Sequence, residues 1–171
     1  MTNTANKILI TGGSGFIGSA LVSKLSRNKN NEIHVLDIEE PKINLDAKYE
    51  KMDIRSHKIQ KYLQKVNPNK IIHLAAQASV AISSKDPILD NDVNVGGSLN
   101  ILKSATELNL SQFVFFSTGG AIYGEEVGKK FNEDNIVNPQ SPYGISKSSF
   151  ENYLNYYSSK FNLPSVIIRP S

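Results

Sequence analysis

Tyr143 and Lys147 stand four residues apart in "SPYGISK" (141–147). On a helix, positions i and i+4 share one face, with about 6 Å between Cβ atoms, so a phenol and an ammonium at this spacing can meet one ligand together. A free phenol ionises near pH 10 and is a poor base at neutral pH; a cation beside it favours the anion. Pro142 marks a helix start, since proline fits an opening turn and not an interior. A second chemical pattern lies upstream. In "ILITGGSGFIGSAL" (8–21), Gly12, Gly15 and Gly18 separate a β-branched run from a helical one. Glycines there permit a tight turn and let backbone N–H groups approach a pyrophosphate at the positive end of a helix. Asp37 closes the next apolar run, 19 residues after Gly18, close to the separation of a carboxylate that accepts from a ribose hydroxyl. Such a carboxylate repels a 2′-phosphate, which favours NAD over NADP, with basic residues beyond the second strand as possible modifiers. Alone, the Tyr–Lys spacing also describes an ordinary helix start; the glycines with their strand, helix and acid are harder to read as an incidental turn.

These residues need a frame, and the chain supplies one. Short apolar runs at 7–11, 32–37, 48–53, 70–75, 112–117 and 165–170 read as strands. Between them lie helical periods. Residues 16–27 carry Phe16, Ile17, Leu21, Val22 and Leu25. Residues 56–66 carry Ile59, Leu63 and Val66 behind a Ser56 N-cap. Residues 86–109 open on an Asp86 cap and Pro87, and residues 142–161 align Phe150, Leu154, Tyr157 and Phe161. Gly96 and Gly97 fall inside the third helix, at about 1 kcal/mol each relative to alanine. Close packing against a strand or cofactor would compensate; a local kink is the plainer reading. Strands alternating with helices predict an α/β fold: a Rossmann-type doubly wound parallel sheet of about six strands, helices on both faces, forming one domain over residues 1–171.

Composition narrows the function classes. The chain has 171 residues, 39% apolar and 20% charged, with net charge +3 and no cysteine. Basic residues form no run of five, so nucleic acid is a poor partner. Disulfides and thiolate metal sites are excluded, and His34, His57 and His73 lack ligand spacing, so no metal is expected and all three histidines are given structural roles. The polar start "MTNTANK" is no signal peptide, and no apolar stretch reaches membrane-helix length. A cytoplasmic protein is expected.

The segment Gly-Gly-Ser-Gly-Phe-Ile-Gly, followed by Tyr143-x-x-x-Lys147, resembles the extended short-chain dehydrogenase/reductase family, with matches along essentially the whole chain. The resemblance implies cofactor contacts from Gly12, Gly15, Phe16, Ile17 and Gly18. It implies an adenine contact from Asp53 in "MDIR" (52–55), beside Ile54, and backbone lining from Leu74, Ala75, Ala76 and Gln77 in "HLAAQ". It gives Asn94 in "NVGGSLNIL" a supporting role. "FFSTGGAIYGE" (115–125) is similar to the segment bearing the family's catalytic Ser or Thr, which falls on Thr118 with Ser117 as nearest neighbour. By the same resemblance, Lys147 hydrogen-bonds the nicotinamide ribose and its charge favours tyrosinate at Tyr143, the base that takes the proton from a sugar 4-hydroxyl.

Within the family, "STGGAIYGE" with "SPYGISK" is most similar to UDP-glucose 4-epimerases. Sugar-nucleotide 4,6-dehydratases carry an Asp-Glu pair after the catalytic Thr, where this chain has Gly119 and Gly120. The resemblance implies an NAD cofactor, a UDP-hexose substrate, and a homodimer formed by helix packing, to which Tyr153 and Tyr156 would contribute. It also leads one to expect a substrate-binding region beyond "VIIRPS", so that these residues are the cofactor-binding portion of an epimerase, inactive alone. The alternatives are a non-catalytic NAD-binding module, a 4,6-dehydratase or an NAD-dependent reductase.

Overall fold

The computed structural model describes residues 6–41, 46–124 and 130–170; the polar lead-in at 1–5 and the terminal Ser171 lie outside them. The strands are β1 (Asn6–Thr11), β2 (Asn31–Asp37), β3 (Lys48–Lys51), β4 (Lys70–His73), β5 (Gln112–Phe116) and β6 (Ser165–Ile168). They form one parallel sheet in the order β3-β2-β1-β4-β5-β6, the dinucleotide-fold order in which the chain reverses direction across the sheet beside β1. All six expected strands are present, most a residue or two shorter at the carboxyl end, where the chain leaves the sheet to build loops.

The strands alternate their side chains between two cores. Ile8 and Ile10 of β1 join Val22, Ile33 and Val35 on one face, under α1 (Phe16–Leu25). Leu9 points the other way into the larger core, which holds Ile59, Leu63, Ile101, Phe113, Phe115, Phe150 and Leu154. That face is covered by α2 (Ile59–Val66), α5 (Ser98–Ala105) and α6 (Pro142–Phe161). Two helices end on asparagines in the left-handed conformation, Asn67 at φ 47° and Asn162 at φ 52°, a common stop because a short polar side chain tolerates it.

The helix boundaries hold several surprises. Phe16 and Ile17 do not join the core of α1; Phe16 is 96% exposed at the mouth of a cleft. Ser56 is not the N-cap of α2, which begins three residues later behind Lys58; the Ser56 hydroxyl accepts from the Lys58 N–H in a preceding turn. A helix absent from the sequence reading, α3 (Val80–Lys85), follows β4. The long helix expected at 86–109 is three joined pieces. α4 (Pro87–Asn91) is capped by Asp86, which accepts from the Leu89 N–H; a π-helical turn spans Asp92–Gly97; α5 follows. The glycine pair divides accordingly. A Cβ on Gly97 would meet Ile54 Cγ1 at 2.6 Å, whereas one on Gly96 would meet only the Asp92 side chain, at 3.6 Å. Close packing explains Gly97, and the irregular turn accommodates Gly96. Phe161, aligned with Phe150 and Leu154 by the helical period, is half exposed and packs on the Tyr157 ring, 5.2 Å between centroids.

Candidate functional site

At the carboxyl ends of β1, β2, β4 and β5 lies a cleft of about 800 Å³, within the usual range for ligand pockets. Its floor is the glycine turn between β1 and α1. Gly12 has φ +71°, and a Cβ there would lie 2.6 Å from the Ala75 nitrogen; a Cβ on Gly18 would strike the Gly12 carbonyl oxygen. The protein's own packing therefore requires both. Gly15 differs: a Cβ would meet only the Gly12 oxygen, at 3.4 Å. Nothing in the fold demands a glycine at 15, which lines the cleft at the start of α1, where no side chain caps the first-turn N–H groups. An uncapped helix start facing a cradle that a methyl group would narrow fits a phosphate-bearing ligand.

Asp37 ends β2 at the side of this turn. Its carboxylate accepts from the Ser14 N–H at 2.9 Å and the Glu39 N–H at 3.1 Å, which fixes the acid against the glycine turn and leaves lone pairs for a further donor. Glu39 and Glu40 line the same wall, so the residues just beyond the second strand are acidic rather than basic. Asp53 lines the cleft from the loop after β3, and Arg55 holds it: the Arg55 N–H donates to Oδ1 at 2.8 Å and Nη2 to Oδ2 at 2.6 Å. These bonds keep the Asp53 carboxyl below its usual range despite partial burial. Arg55 Nη1 also reaches Asp92 at 2.9 Å. From α5, Asn100 donates to the Ile54 and Ser56 carbonyls at 2.8 and 2.9 Å, pinning the loop.

Across the cleft, α6 presents Tyr143 and Lys147. Ser141 caps the helix by accepting from the Gly144 N–H, with Pro142 in the first turn as expected. The Tyr143 N–H donates to Ser83 on α3 at 3.1 Å. Burial, then the Asp90 carboxylate, push the Tyr143 phenol above its usual value, and a hydrogen bond with Thr118 pulls it down. On its own residues Tyr143 therefore stays a phenol at neutral pH. Lys147 is buried, with Nζ 4.4 Å from the centre of the Phe115 ring. Desolvation pushes its ammonium down to about 8, against the pull of the Glu151 and Asp90 carboxylates. Ser117 lines the cleft, and among the described residues its buried Oγ has no hydrogen-bond partner, an orphan donor that a ligand oxygen would satisfy.

Of the residues singled out in the sequence, Gly12, Gly15, Phe16, Ile17, Gly18, Asp37, Asp53, Ile54, Leu74, Ala75, Ala76, Ser117, Tyr143 and Lys147 all line this cleft. Thr118, Gln77 and Asn94 are not among its lining residues. Thr118 instead acts on the Tyr143 phenol, favouring its anion. Gln77 and Asn94 lie behind the wall, bonded to each other: the Gln77 N–H donates to Asn94 Oδ1 at 2.8 Å and Asn94 Nδ2 donates to the Gln77 carbonyl at 2.9 Å. Asn94 supports the wall's backbone and does not face the cleft. Sequence reasoning missed Arg55, Glu39 and Pro170 in the lining, although Arg55 lies within the quoted "MDIR". It also missed the chain running from the Ala75 N–H to Thr11 Oγ1 (3.3 Å), on to His73 Nδ1 (2.6 Å), and from Nε2 to Ser98 Oγ (2.8 Å). This chain ties the wall after β4 to the glycine strand and gives His73 the structural role expected of it.

Comparison with known proteins agrees with this geometry. The NAD dependent epimerase/dehydratase family model matches residues 8–171. The UDP-glucose 4-epimerase of Mycolicibacterium smegmatis is 35% identical over 96% of this chain and 55% of its own length. Among solved structures, the UDP-glucose 4-epimerase of Thermotoga maritima with UDP-glucose is 40% identical, with a TM-score of 0.89 over 95% of this chain and 54% of that one. The Thermus thermophilus UDP-glucose 4-epimerase complex with NAD is 38% identical, with the same TM-score and coverage. The chain spans about half the length of the relatives it matches. With the family matched from the first strand to the last residue, and its fold reproduced, the chain belongs to the NAD dependent epimerase/dehydratase family.

Proposed function

We propose that this chain is the cofactor-binding and catalytic portion of an NAD-dependent nucleotide-sugar 4-epimerase acting on UDP-glucose or a close UDP-hexose. The observation that carries the reading is the joining, across one cleft, of a glycine-turn phosphate cradle and its Asp37 to the Tyr143–Lys147 pair of α6. Gly12, Gly15 and Gly18 with the α1 N-terminus hold the pyrophosphate. Asp37 accepts from the adenosine ribose, while Glu39 and Glu40 add negative charge unfavourable to a 2′-phosphate, which supports NAD over NADP. Asp53, Ile54 and the Leu74–Ala76 backbone flank the adenine and ribose ends, and Ser117 offers its hydroxyl. When bound, NAD⁺ supplies the hydride acceptor and later the donor for the sugar carbon, together with a positive charge near the phenol.

The chain's own residues handle the proton. Tyr143 takes it from the sugar 4-hydroxyl and returns it, with Thr118 bonded to the phenol and stabilising its anion. Lys147 holds a cosubstrate ribose hydroxyl and keeps positive charge beside the tyrosine. Gly119 and Gly120 after Thr118 leave no acid and base there for water elimination, which supports epimerisation over dehydration. Ile145, Tyr153 and Tyr156 are exposed along α6; a homodimer through this face, and a cytoplasmic setting, complete the reading.

The test is product analysis, with UDP-glucose and no added reductant, of a protein that joins these residues to a substrate-binding region; residues 1–171 alone are expected to bind NAD without turnover. UDP-galactose formed without net NADH turnover, and lost in a Tyr143→Phe variant, is the expected result. A 4-keto-6-deoxy product would indicate a dehydratase, steady NADH consumption a reductase, and cofactor binding without turnover a non-catalytic module.

A further inference from the structure

Lys147 is a buried cation, and buried cations require negative charge nearby. Two buried carboxylates act on it, Glu151 one turn along α6 and Asp90 on α4. Their situations differ. Glu151 is gripped by Arg169, Nε to Oε1 at 3.0 Å and Nη2 to Oε2 at 2.6 Å. Arg169 also donates from Nη1 to the Tyr123 hydroxyl at 2.7 Å. The charge of Glu151 is therefore matched by a guanidinium in a two-point pair. Asp90 is fully buried and, among the described residues, its side chain is bound only by neutral amides. Its Oδ1 accepts from Gln77 Nε2 at 2.8 Å and Asn94 Nδ2 at 3.0 Å; its Oδ2 has no hydrogen-bond partner among the described residues. Among the described residues no cation forms an ion pair with Asp90, and Lys147 correspondingly makes no hydrogen bond. Asn94 links the two neighbourhoods, since its Nδ2 also donates to Ser146 Oγ, beside Lys147, at 3.2 Å.

We propose that Asp90 is the buried counter-ion of Lys147, a positioning residue that holds the site's ammonium without itself reaching the ligand. Asp90 does not line the cleft. Its field falls on both Tyr143 and Lys147; Glu151 taken alone pulls harder on Lys147, but its two-point pairing with Arg169 leaves that pair with no net charge. The other groups around α6 do not substitute for it. His73 on β4 is held neutral by burial and by the Lys147 charge. Lys85, Asp86 and Lys103 on the packed helices are exposed, and Asp92 is paired with Arg55. The Phe115 ring adds cation–π attraction without a net charge.

The inference rests on the reading of Lys147 as a site residue, and its test reads the ammonium directly rather than turnover. In protein with ¹³Cε-labelled lysine, the Lys147 resonance is identified by its loss in Lys147→Met and titrated by NMR without ligand. In the unsubstituted protein it titrates near 8. Asp90→Asn, which keeps the shape and an acceptor oxygen, moves that titration down by on the order of one pH unit. The paired change Glu151→Leu with Arg169→Met moves it by less than half as much. Asp90→Ser gives a second removal of the charge should the asparagine variant not fold, as judged by near-ultraviolet circular dichroism. An unchanged or raised Lys147 titration without Asp90, or an equal downward shift in the Glu151/Arg169 pair, overturns the proposal. A sugar-processing activity other than the one proposed would leave this result untouched.

Discussion

The three glycines of the β1–α1 turn make separable predictions, because the fold needs them for different reasons. Gly15 has φ −72° and ψ −178°, a conformation any residue adopts. Its added Cβ approaches only the Gly12 oxygen, at 3.4 Å. Gly15→Ala therefore carries two small, opposed effects on stability. Alanine is a poorer N-cap by about 0.5–1 kcal/mol, and the loss of a glycine from the unfolded chain returns about 0.4–1 kcal/mol. Net stability should stay within about 0.5 kcal/mol of the original. The same methyl projects toward the cradle, so NAD affinity should fall by tenfold or more, equivalent to about 1.4 kcal/mol. Gly12→Ala should do the reverse in emphasis. The left-handed conformation costs about 1–2 kcal/mol for a residue with a Cβ, and the 2.6 Å approach to the Ala75 nitrogen forces the backbone after β4 to move. A total loss of about 3 kcal/mol or more is expected. Urea denaturation followed by circular dichroism measures stability, and calorimetric titration with NAD measures affinity. A Gly15→Ala protein that binds NAD as tightly as the original would refute the assignment of the cradle. Equal destabilisation by both substitutions would refute the steric reasoning.

Other consequences follow from the buried polar groups. Burial and the Lys147 charge depress His73 from 6.5 to about 3, so below pH 6.5 the unfolded chain takes up a proton that the folded one refuses. Stability should fall by about 2 kcal/mol between pH 7 and pH 5 through this group alone; a His73→Gln protein, although less stable at pH 7, should show a correspondingly shallower slope in denaturant titrations, and parallel slopes would contradict this. Glu151→Ala strands the Arg169 guanidinium and should cost about 3–5 kcal/mol in the same measurement, whereas Glu151→Leu with Arg169→Met should lie much nearer the original. NAD should bind more tightly than NADP, and Asp37→Asn should narrow that preference by about tenfold or more as the like-charge repulsion is relieved; an unaltered ratio would remove Asp37 from the ribose site.

The sequence by itself determined the layer order and most of the cleft. Alternating short β-branched runs and helical periods can bury their apolar faces in few ways, and a parallel sheet between helices is the one consistent with "KILIT", "EIHVLD" and "QFVFF". The glycine turn and the Asp37 spacing were readable because they are local: a turn, a cap and a strand end act within a few residues. The Tyr143–Lys147 pairing was readable for the same reason, one turn of one helix. Tertiary structure decided what local pattern does not encode. Whether Gly12 or Gly15 is required by the fold depends on Ala75, more than sixty residues away. Whether Asn94 faces a ligand or a backbone depends on Gln77 and on a π-helical turn that no periodicity announces. The ionisation of Tyr143 and Lys147 depends on burial and on which carboxylates already have a cation. Asp90 and Glu151 are the same chemical group in the sequence. Only packing, which brings Arg169 to one and neutral amides to the other, makes them different charges in the field of the site.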